Sequence, residues 1–149
     1  MTIIDQEVTP KLRRPERAVV AWLRLVRVYH KIDAATADRL RKHRLTVAQF
    51  DVLAQVGARE GQTQQELAAS LLVTKSNVCQ VLARMETAGW IERRHFGRAN
   101  RLYLTPKGRS LFDDVVLAHE GIIADRLGAL SSEEQITLLR LLRTLDRSL

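Results

Sequence analysis

The chain has 149 residues, 46% hydrophobic and 28% charged, with a formal net charge of +7, as expected for a single soluble globular domain. No apolar run approaches transmembrane length and the N-terminus lacks an apolar signal core, so we expect a cytoplasmic protein without membrane attachment. The single cysteine, Cys79, excludes an internal disulfide and fits a reducing compartment.

The N-terminal part of the sequence predicts a tail and two helices. Residues 1–15 are expected to form a flexible basic tail, and apolar residues at helical spacing predict one long helix from Glu16 to about Lys42. Its apolar surface is wider than one stripe, which is typical of a helix that packs on its own core and on a partner subunit. Thr46 is then predicted to cap a shorter helix from Val47 to about Gly57. The residues predicted to face inward on that shorter helix are Val47, Phe50, Leu53, Ala54 and Val56.

Two helices separated by a tight turn follow. The first is predicted over Gln64–Ser70, the turn over residues 71–73, and the second over Lys75–Thr87 with Thr74 as its N-cap. Gly89 is expected to stop the second helix, because glycine tolerates the left-handed conformation at a helix end.

A short hairpin is predicted next, with strands at Ile91–Arg94 and Arg101–Thr105 and a tip at His95–Asn100. Together with the two preceding helices, this order predicts a winged helix-turn-helix over about residues 46–105.

The C-terminal part predicts two more helices. Thr105 and Pro106 open a long one that ends at Gly128, and Ser131 with Glu134 has capping-box spacing for the last, from Glu133 to about Ser148. We therefore predict a mainly α fold with a two-stranded β wing. It would form a single domain over residues 16–149, flanked by dimerisation helices at about 16–43 and 106–148.

The excess charge is concentrated on this winged unit. Residues 75–109 contain eight lysines and arginines and only two glutamates, which accounts for six of the seven net positive charges. A basic patch that coincides with a helix-turn-helix indicates a nucleic-acid binder.

The second helix of the unit has two different faces. Val78, Leu82 and Met85 are expected to seal the core, and the opposite face carries side chains that can bond base edges or phosphates. Basic residues at the hairpin tip suit a minor groove. The predicted DNA-binding residues are Thr74, Lys75, Ser76, Asn77, Gln80, Arg84, Arg94 and Arg98. The competing interpretation is a solvated helix face and a plain surface hairpin.

Other chemistry has weaker support in the sequence. Cys79 suits either redox sensing or, as we expect, a small buried residue. Aromatic side chains predict a small-molecule pocket, with ordinary core as the competing interpretation. The predicted pocket residues are Trp22, Tyr29, His30 and Phe50. No catalytic motif, metal-ligand spacing or phosphate loop is evident, so we expect no enzyme activity, no cofactor and no metal.

At this point the sequence resembles the MarR family of bacterial transcriptional regulators over about residues 17–147. The specific motifs are QELAASLLVTKSNVCQVLARMETAGWIERR, which begins at Gln65, and GRANRLYLTPKG, which ends at Gly108. The resemblance implies a homodimer with its interface on the terminal helices, bound to a palindromic operator in double-stranded DNA. It also implies repression that is relieved when a small phenolic ligand, a metal or an oxidant acts.

Matching the family motif residue by residue puts the recognition-helix positions at Ser76, Asn77, Gln80 and Arg84, and the wing arginine at Arg98. The family usually has an aspartate two residues before that arginine, where this chain has Phe96, and the tip is shorter by a few residues. The main alternative function is an architectural protein that coats DNA without sequence preference. An enzyme or redox protein built on Cys79 is a further alternative.

Overall fold

The computed structural model describes residues 16–72 and 77–149. The chain divides into two compact units, with the boundary between Lys31 and Ile32. The first helix, α1 (Arg17–Lys42), contains this boundary. In the first unit, large apolar side chains of α1 are exposed in the single chain. They are Val19, Val20, Trp22, Leu23, Leu25, Val28 and Tyr29.

Helix α2 (Val47–Ala58) begins where the sequence predicts. The Thr46 hydroxyl accepts the backbone N–H of Gln49, and the Gln49 side chain accepts the backbone N–H of Thr46, which forms a capping box. Val47 was predicted to face inward and is 50% exposed, because it starts the helix at the edge of the core. The buried residues of α2 are Asp51, Val52, Leu53 and Val56.

The helix-turn-helix differs from prediction at one boundary. Helix α3 (Gln64–Ser70) has the predicted bounds, but α4 (Val78–Thr87) begins three residues after the predicted start. The N-cap is Asn77 and not Thr74 as predicted, because Asn77 lies in the left-handed region, with φ 61° and ψ 30°, and cannot continue a helix. Ala88 and Gly89 end α4 as predicted, and Gly89 has a φ of 78°.

The wing is a longer hairpin with a tighter turn than predicted. Strands β1 (Ile91–Phe96) and β2 (Ala99–Leu104) pair antiparallel, with Phe96 opposite Ala99, so only Gly97 and Arg98 form the tip. Gly97 has a φ of 63°, as the first central residue of a type II′ turn requires. The predicted strands stopped short because turn geometry, not composition, decides where pairing ends.

The long helix predicted after Pro106 contains a change of helical pitch. It consists of α5 (Pro106–Phe112), a π-helical turn (Asp113–Leu117) and α6 (Ala118–Leu127), with Gly128 as the C-cap. The prediction of one uninterrupted helix did not include this turn, because π-helical turns are rare. The last helix, α7 (Ser132–Ser148), has the predicted capping box between Ser131 and Glu134.

The core of the second unit lies around α2, which contacts α3, α4, α5, the π-helical turn and β2. Leu67, Leu82 and Leu102 are fully buried there, one each from α3, α4 and β2. Each such side chain stabilises the fold by about 1.5–3 kcal/mol relative to an exposed position. Recognition helix and wing are therefore held by one shared core. The fold class predicted from the sequence, mainly α with a two-stranded wing, is confirmed.

Candidate nucleic-acid interface

Hydrogen bonds hold both ends of α3, and the bond after its C-terminal end comes from α2. Helix α3 starts with a capping box in which the Thr63 N–H donates to a Glu66 carboxylate oxygen at 2.9 Å. That backbone hydrogen bond is the main reason that the pKa of Glu66 is lowered. After the helix ends, the backbone N–H of Leu72 donates to Oδ2 of Asp51 at 2.8 Å. The predicted site residues Thr74, Lys75 and Ser76 lie outside the described residues.

Helix α4 separates its core face from its solvent face as predicted. Val78, Leu82 and Met85 are buried, while Gln80 and Arg84 are exposed. The backbone N–H groups of Gln80 and Val81 donate to the Asn77 carbonyl, each at 3.1 Å, which leaves the exposed Asn77 side chain at the open end of the helix.

Cys79 is exposed, so the expectation that it is a small buried residue is wrong. It lies on the first turn of α4, where the side chain points along the groove toward α3 rather than into the core. The Gln64 amide N–H donates to its Sγ at 2.8 Å. This groove has a volume of about 580 Å³ and is lined by Gln64, Gln65, Ala68, Asn77, Val78, Cys79 and Gln80.

Two arginines of the hairpin, Arg94 and Arg98, differ in their contacts with neighbouring side chains. The Arg94 guanidinium lies 4.1 Å from the centre of the Tyr103 ring, and its Nε donates to Glu92 at 2.9 Å. Arg98, at the tip, is exposed and makes no ion pair within the described residues. Phe96 beside it is 55% exposed, so it does not pack the tip onto the core.

The base of the hairpin is attached to the loop before α3. Glu60 accepts the backbone N–H of Leu104 with one carboxylate oxygen and pairs with Arg109 through the other, both at 2.9 Å. The Arg101 guanidinium donates to the Gly61 carbonyl at 2.7 Å. Two arginines counted in the basic patch, Arg101 and Arg109, are thus bonded to other residues of the chain although both side chains are partly or fully exposed.

Arg93 is a third arginine that is bonded within the chain, and it joins three elements. Its Nε donates to Glu86 of α4 at 2.5 Å, and Nη1 donates to Gln64 of α3 at 3.0 Å. Sequence reasoning missed this role, as it missed those of Asp51 and Glu60. The only signal for it in the sequence is that Glu86 and Arg93 carry opposite charges and lie seven positions apart.

The predicted pocket residues are divided between the two units, and the pocket stays a prediction. In the first unit, the Tyr29 and His30 rings meet edge to face at 5.6 Å between centroids. In the second, Phe50 packs on His119 at 4.4 Å. Burial lowers the pKa of His119, although Asp33 and Glu120 act in the opposite direction. Its buried Nδ1 has no hydrogen-bond partner in the described residues.

Within residues 16–72 and 77–149, no three histidine, cysteine or carboxylate side chains cluster as metal ligands would. In the same residues, no helix is long and apolar enough to cross a membrane.

Comparison with known proteins agrees with this geometry. Residues 43–101 match the family model of the MarR family. The chain is 32% identical to an HTH-type transcriptional regulator of Bacillus cereus over 124 residues, or 81% of this chain and 83% of that one. It is also 30% identical to the HTH-type transcriptional regulator PecS of Dickeya dadantii over 131 residues, 84% of this chain and 79% of PecS.

A solved structure shares the fold. BpsR of Bordetella bronchiseptica, whose DNA binding is regulated by 6-hydroxynicotinic acid, superposes with a TM-score of 0.69 at 23% identity, covering 89% of this chain and 98% of BpsR. The relatives are transcriptional regulators and not enzymes. The helix-turn-helix, the basic wing and these likenesses lead to one conclusion: the chain belongs to the MarR family of DNA-binding transcriptional regulators.

Proposed function

We propose that this protein is a sequence-specific repressor that acts in the cytoplasm. It binds a palindromic operator as a homodimer and leaves it when a small molecule or an oxidant acts. The observation that carries the proposal is the solvent face of α4, where Gln80 and Arg84 are exposed and Arg84 makes no ion pair within the described residues. Arginine bonds guanine with two hydrogen bonds and glutamine does the same with adenine.

The proposed DNA contacts follow the sequence prediction. Ser76, Asn77, Gln80 and Arg84 would read base edges. Thr74 and Lys75 would meet phosphates near the start of α4. The wing would contribute Arg94 and Arg98. Arg94 is half-exposed above Tyr103, and Arg98 is exposed at the tip, which supports contact by the wing.

Exposed apolar surface supports the homodimer. Helix α7 has five large apolar side chains that are between 38% and 67% exposed: Ile136, Leu139, Leu141, Leu142 and Leu145. Part of this surface borders a groove of about 470 Å³ between α7 and Leu127. Apolar surface of this extent marks an interaction site on a folded chain. A two-fold dimer places two recognition helices about one turn of DNA apart and so requires a palindrome.

The release signal is proposed on two grounds. The likeness to BpsR, which 6-hydroxynicotinic acid regulates, supports a small aromatic effector, for which Trp22, Tyr29, His30 and Phe50 remain the predicted contacts. The exposure of Cys79 on α4 leaves an oxidant as the other candidate. Cys79→Ser should abolish a response to peroxide and preserve DNA binding if the oxidant is the signal.

The experiment that tests the function is fluorescence anisotropy at physiological salt on two duplexes of equal length. One comes from the region beside the protein's own gene and the other is its scrambled version. We expect the first to bind at least about 10³-fold more tightly. If the preference is absent there, DNA selected from a random pool replaces the first duplex. Equal binding of selected and scrambled DNA, with steep salt dependence, would instead establish the architectural alternative.

Sedimentation tests the dimer separately. We expect a dimer at micromolar concentration. A stable monomer would remove the basis for a palindromic operator.

A further inference from the structure

One acidic residue of the recognition helix lies within the most basic part of the sequence. Glu86 lies in the last turn of α4, and it is one of only two acidic residues between positions 75 and 109. A carboxylate there repels DNA, so its presence on a DNA-reading helix needs a structural reason.

That reason is Arg93. The hydrogen bond of 2.5 Å from its Nε reaches Glu86, and the hydrogen bond of 3.0 Å from its Nη1 reaches Gln64. The side chains of Arg93 and Glu86 are only 24% and 34% exposed. A planar guanidinium with donors in a fixed fork can hold two acceptors at once, which an ammonium group cannot do with the same geometry.

The three residues come from three elements of the DNA-binding unit, which consists of α3, α4 and the wing. Glu86 is on α4, Arg93 on β1 and Gln64 on α3, so the group ties the wing to both helices of the helix-turn-helix. The Gln64 amide is oriented in turn, since its N–H donates to Cys79 of α4. We call Glu86, Arg93 and Gln64 the brace.

The neighbouring pair, Arg94 and Glu92, has the same chemistry without this connection. Both residues lie on β1, two positions apart, and their side chains are 53% and 43% exposed. Arg94 otherwise stacks on Tyr103, which belongs to the same hairpin. We therefore expect loss of that pair to leave the position of the hairpin relative to α4 unchanged.

We propose that Arg93 is a positioning residue, which holds the wing at a fixed place relative to the recognition helix so that both can engage one operator together. This inference rests on the proposed operator binding. If the wing and the recognition helix are already held in the arrangement that binds the operator, the protein loses less conformational freedom on binding. Loosening that arrangement should therefore lower the affinity for an operator that contacts both the helix and the wing. Non-specific binding, which depends on charge, does not need that arrangement.

The test compares Glu86→Gln with the matched control Glu92→Gln, since both remove one negative charge from the basic face. The probes are a duplex that the wild-type protein selects from random DNA and its scrambled version. Charge alone predicts that both variants bind every duplex more tightly. The brace predicts that Glu86→Gln binds the selected duplex about fivefold to tenfold more weakly, while its affinity for scrambled DNA stays level or rises.

Arg93→Lys keeps the charge and removes the fork, so it should lose the same preference for the selected duplex. The double variant Glu86→Gln/Arg93→Lys should lose little more affinity for the selected duplex than either single variant, because the two residues act as one unit. If Glu86→Gln and Glu92→Gln behave alike on both duplexes, the inference is overturned.

Hydrogen exchange on the free protein separates this inference from the proposed function. We expect faster amide exchange across residues 91–104 in Glu86→Gln than in Glu92→Gln, with melting temperatures that show both variants folded. Should wild-type protein select no duplex, the proposed function fails and the exchange result alone decides the brace. Equal exchange in the two variants overturns it.

Discussion

The carboxylate of Asp51 accepts the backbone N–H of Leu72 across a distance of 2.8 Å. Asp51 belongs to α2 and is 5% exposed, whereas Leu72 lies in the turn of the helix-turn-helix and is 84% exposed. A carboxylate on the central core helix therefore holds the backbone directly after α3, the first helix of the helix-turn-helix. Hydrogen bonds to ionised acceptors are stronger than neutral ones.

The first prediction concerns this contact. Asp51→Ala should lower the free energy of unfolding by about 1–3 kcal/mol, because a buried acceptor is lost and the turn loses its anchor. Urea unfolding would measure it. Asp38→Ala is the control, since Asp38 pairs with Arg41 at a site where both side chains are more than 70% exposed, and such pairs contribute about 0–1 kcal/mol. Equal losses in the two variants would contradict the role of Asp51.

The second prediction concerns Gly108, in the first turns of α5, which packs against the backbone of Trp90 between α4 and β1. A Cβ at this position would overlap the Trp90 carbonyl oxygen, which belongs to backbone and cannot turn aside. Gly108→Ala should therefore destabilise the protein by about 1–3 kcal/mol.

Gly121→Ala is its matched control. Nothing lies within 4 Å of a Cβ at Gly121, which is exposed on α6, so this change should stabilise the helix by about 0.5–1 kcal/mol. Thermal unfolding of both variants gives the comparison. A neutral Gly108→Ala would mean that α5 shifts freely from Trp90.

The third prediction separates the two exposed arginines of the interface. Arg84→Ala should weaken binding to a selected duplex by about 1–3 kcal/mol and relax the sequence preference, as for a residue that reads a base. Arg98→Ala should weaken binding to every duplex and reduce the steepness of the salt dependence by about 0.9, as for a phosphate contact. Anisotropy titrations over a salt series measure both. Equal losses with unchanged selectivity would show that neither assignment is right.

The fourth prediction concerns pH and His119. Burial lowers the pKa of His119 in the folded protein, and the unfolded chain has the ordinary histidine value of about 6.5. Below that value the unfolded chain binds more protons than the folded one. Stability is therefore complete above about pH 6.5, and it declines as the pH falls toward the lowered pKa of the folded state.

Melting temperatures between about pH 7 and pH 5 measure this decline, above the range where carboxylates titrate. His119→Gln should flatten it, because no group there gains a proton on unfolding. His95→Gln, at an exposed position on the wing, should leave it in place. A decline that persists in His119→Gln would assign the effect to another histidine.

Local chemistry explains what could be predicted. The capping box at Ser131 and Glu134, the stop at Gly89 and the core face of α4 depend on contacts within about four residues, so the order of residues reveals them directly. The exposed face of α4 follows from the same periodicity. Family motifs in the middle of the chain then led to a DNA-binding regulator, which the comparisons confirm.

The sequence by itself thus determined the order of the helices, the capping boxes at Thr46 and Ser131, the two faces of α4 and the class of protein. Only the tertiary structure decided which basic side chains remain available to DNA and which brace the fold, because their partners are distant in sequence. Arg93 reaches Gln64 across 29 positions, and Glu60 reaches Leu104 across 44. Such pairs form when the core brings α3, α4 and the wing together, and a charge count along the chain cannot distinguish an arginine that faces solvent from one that is already bonded.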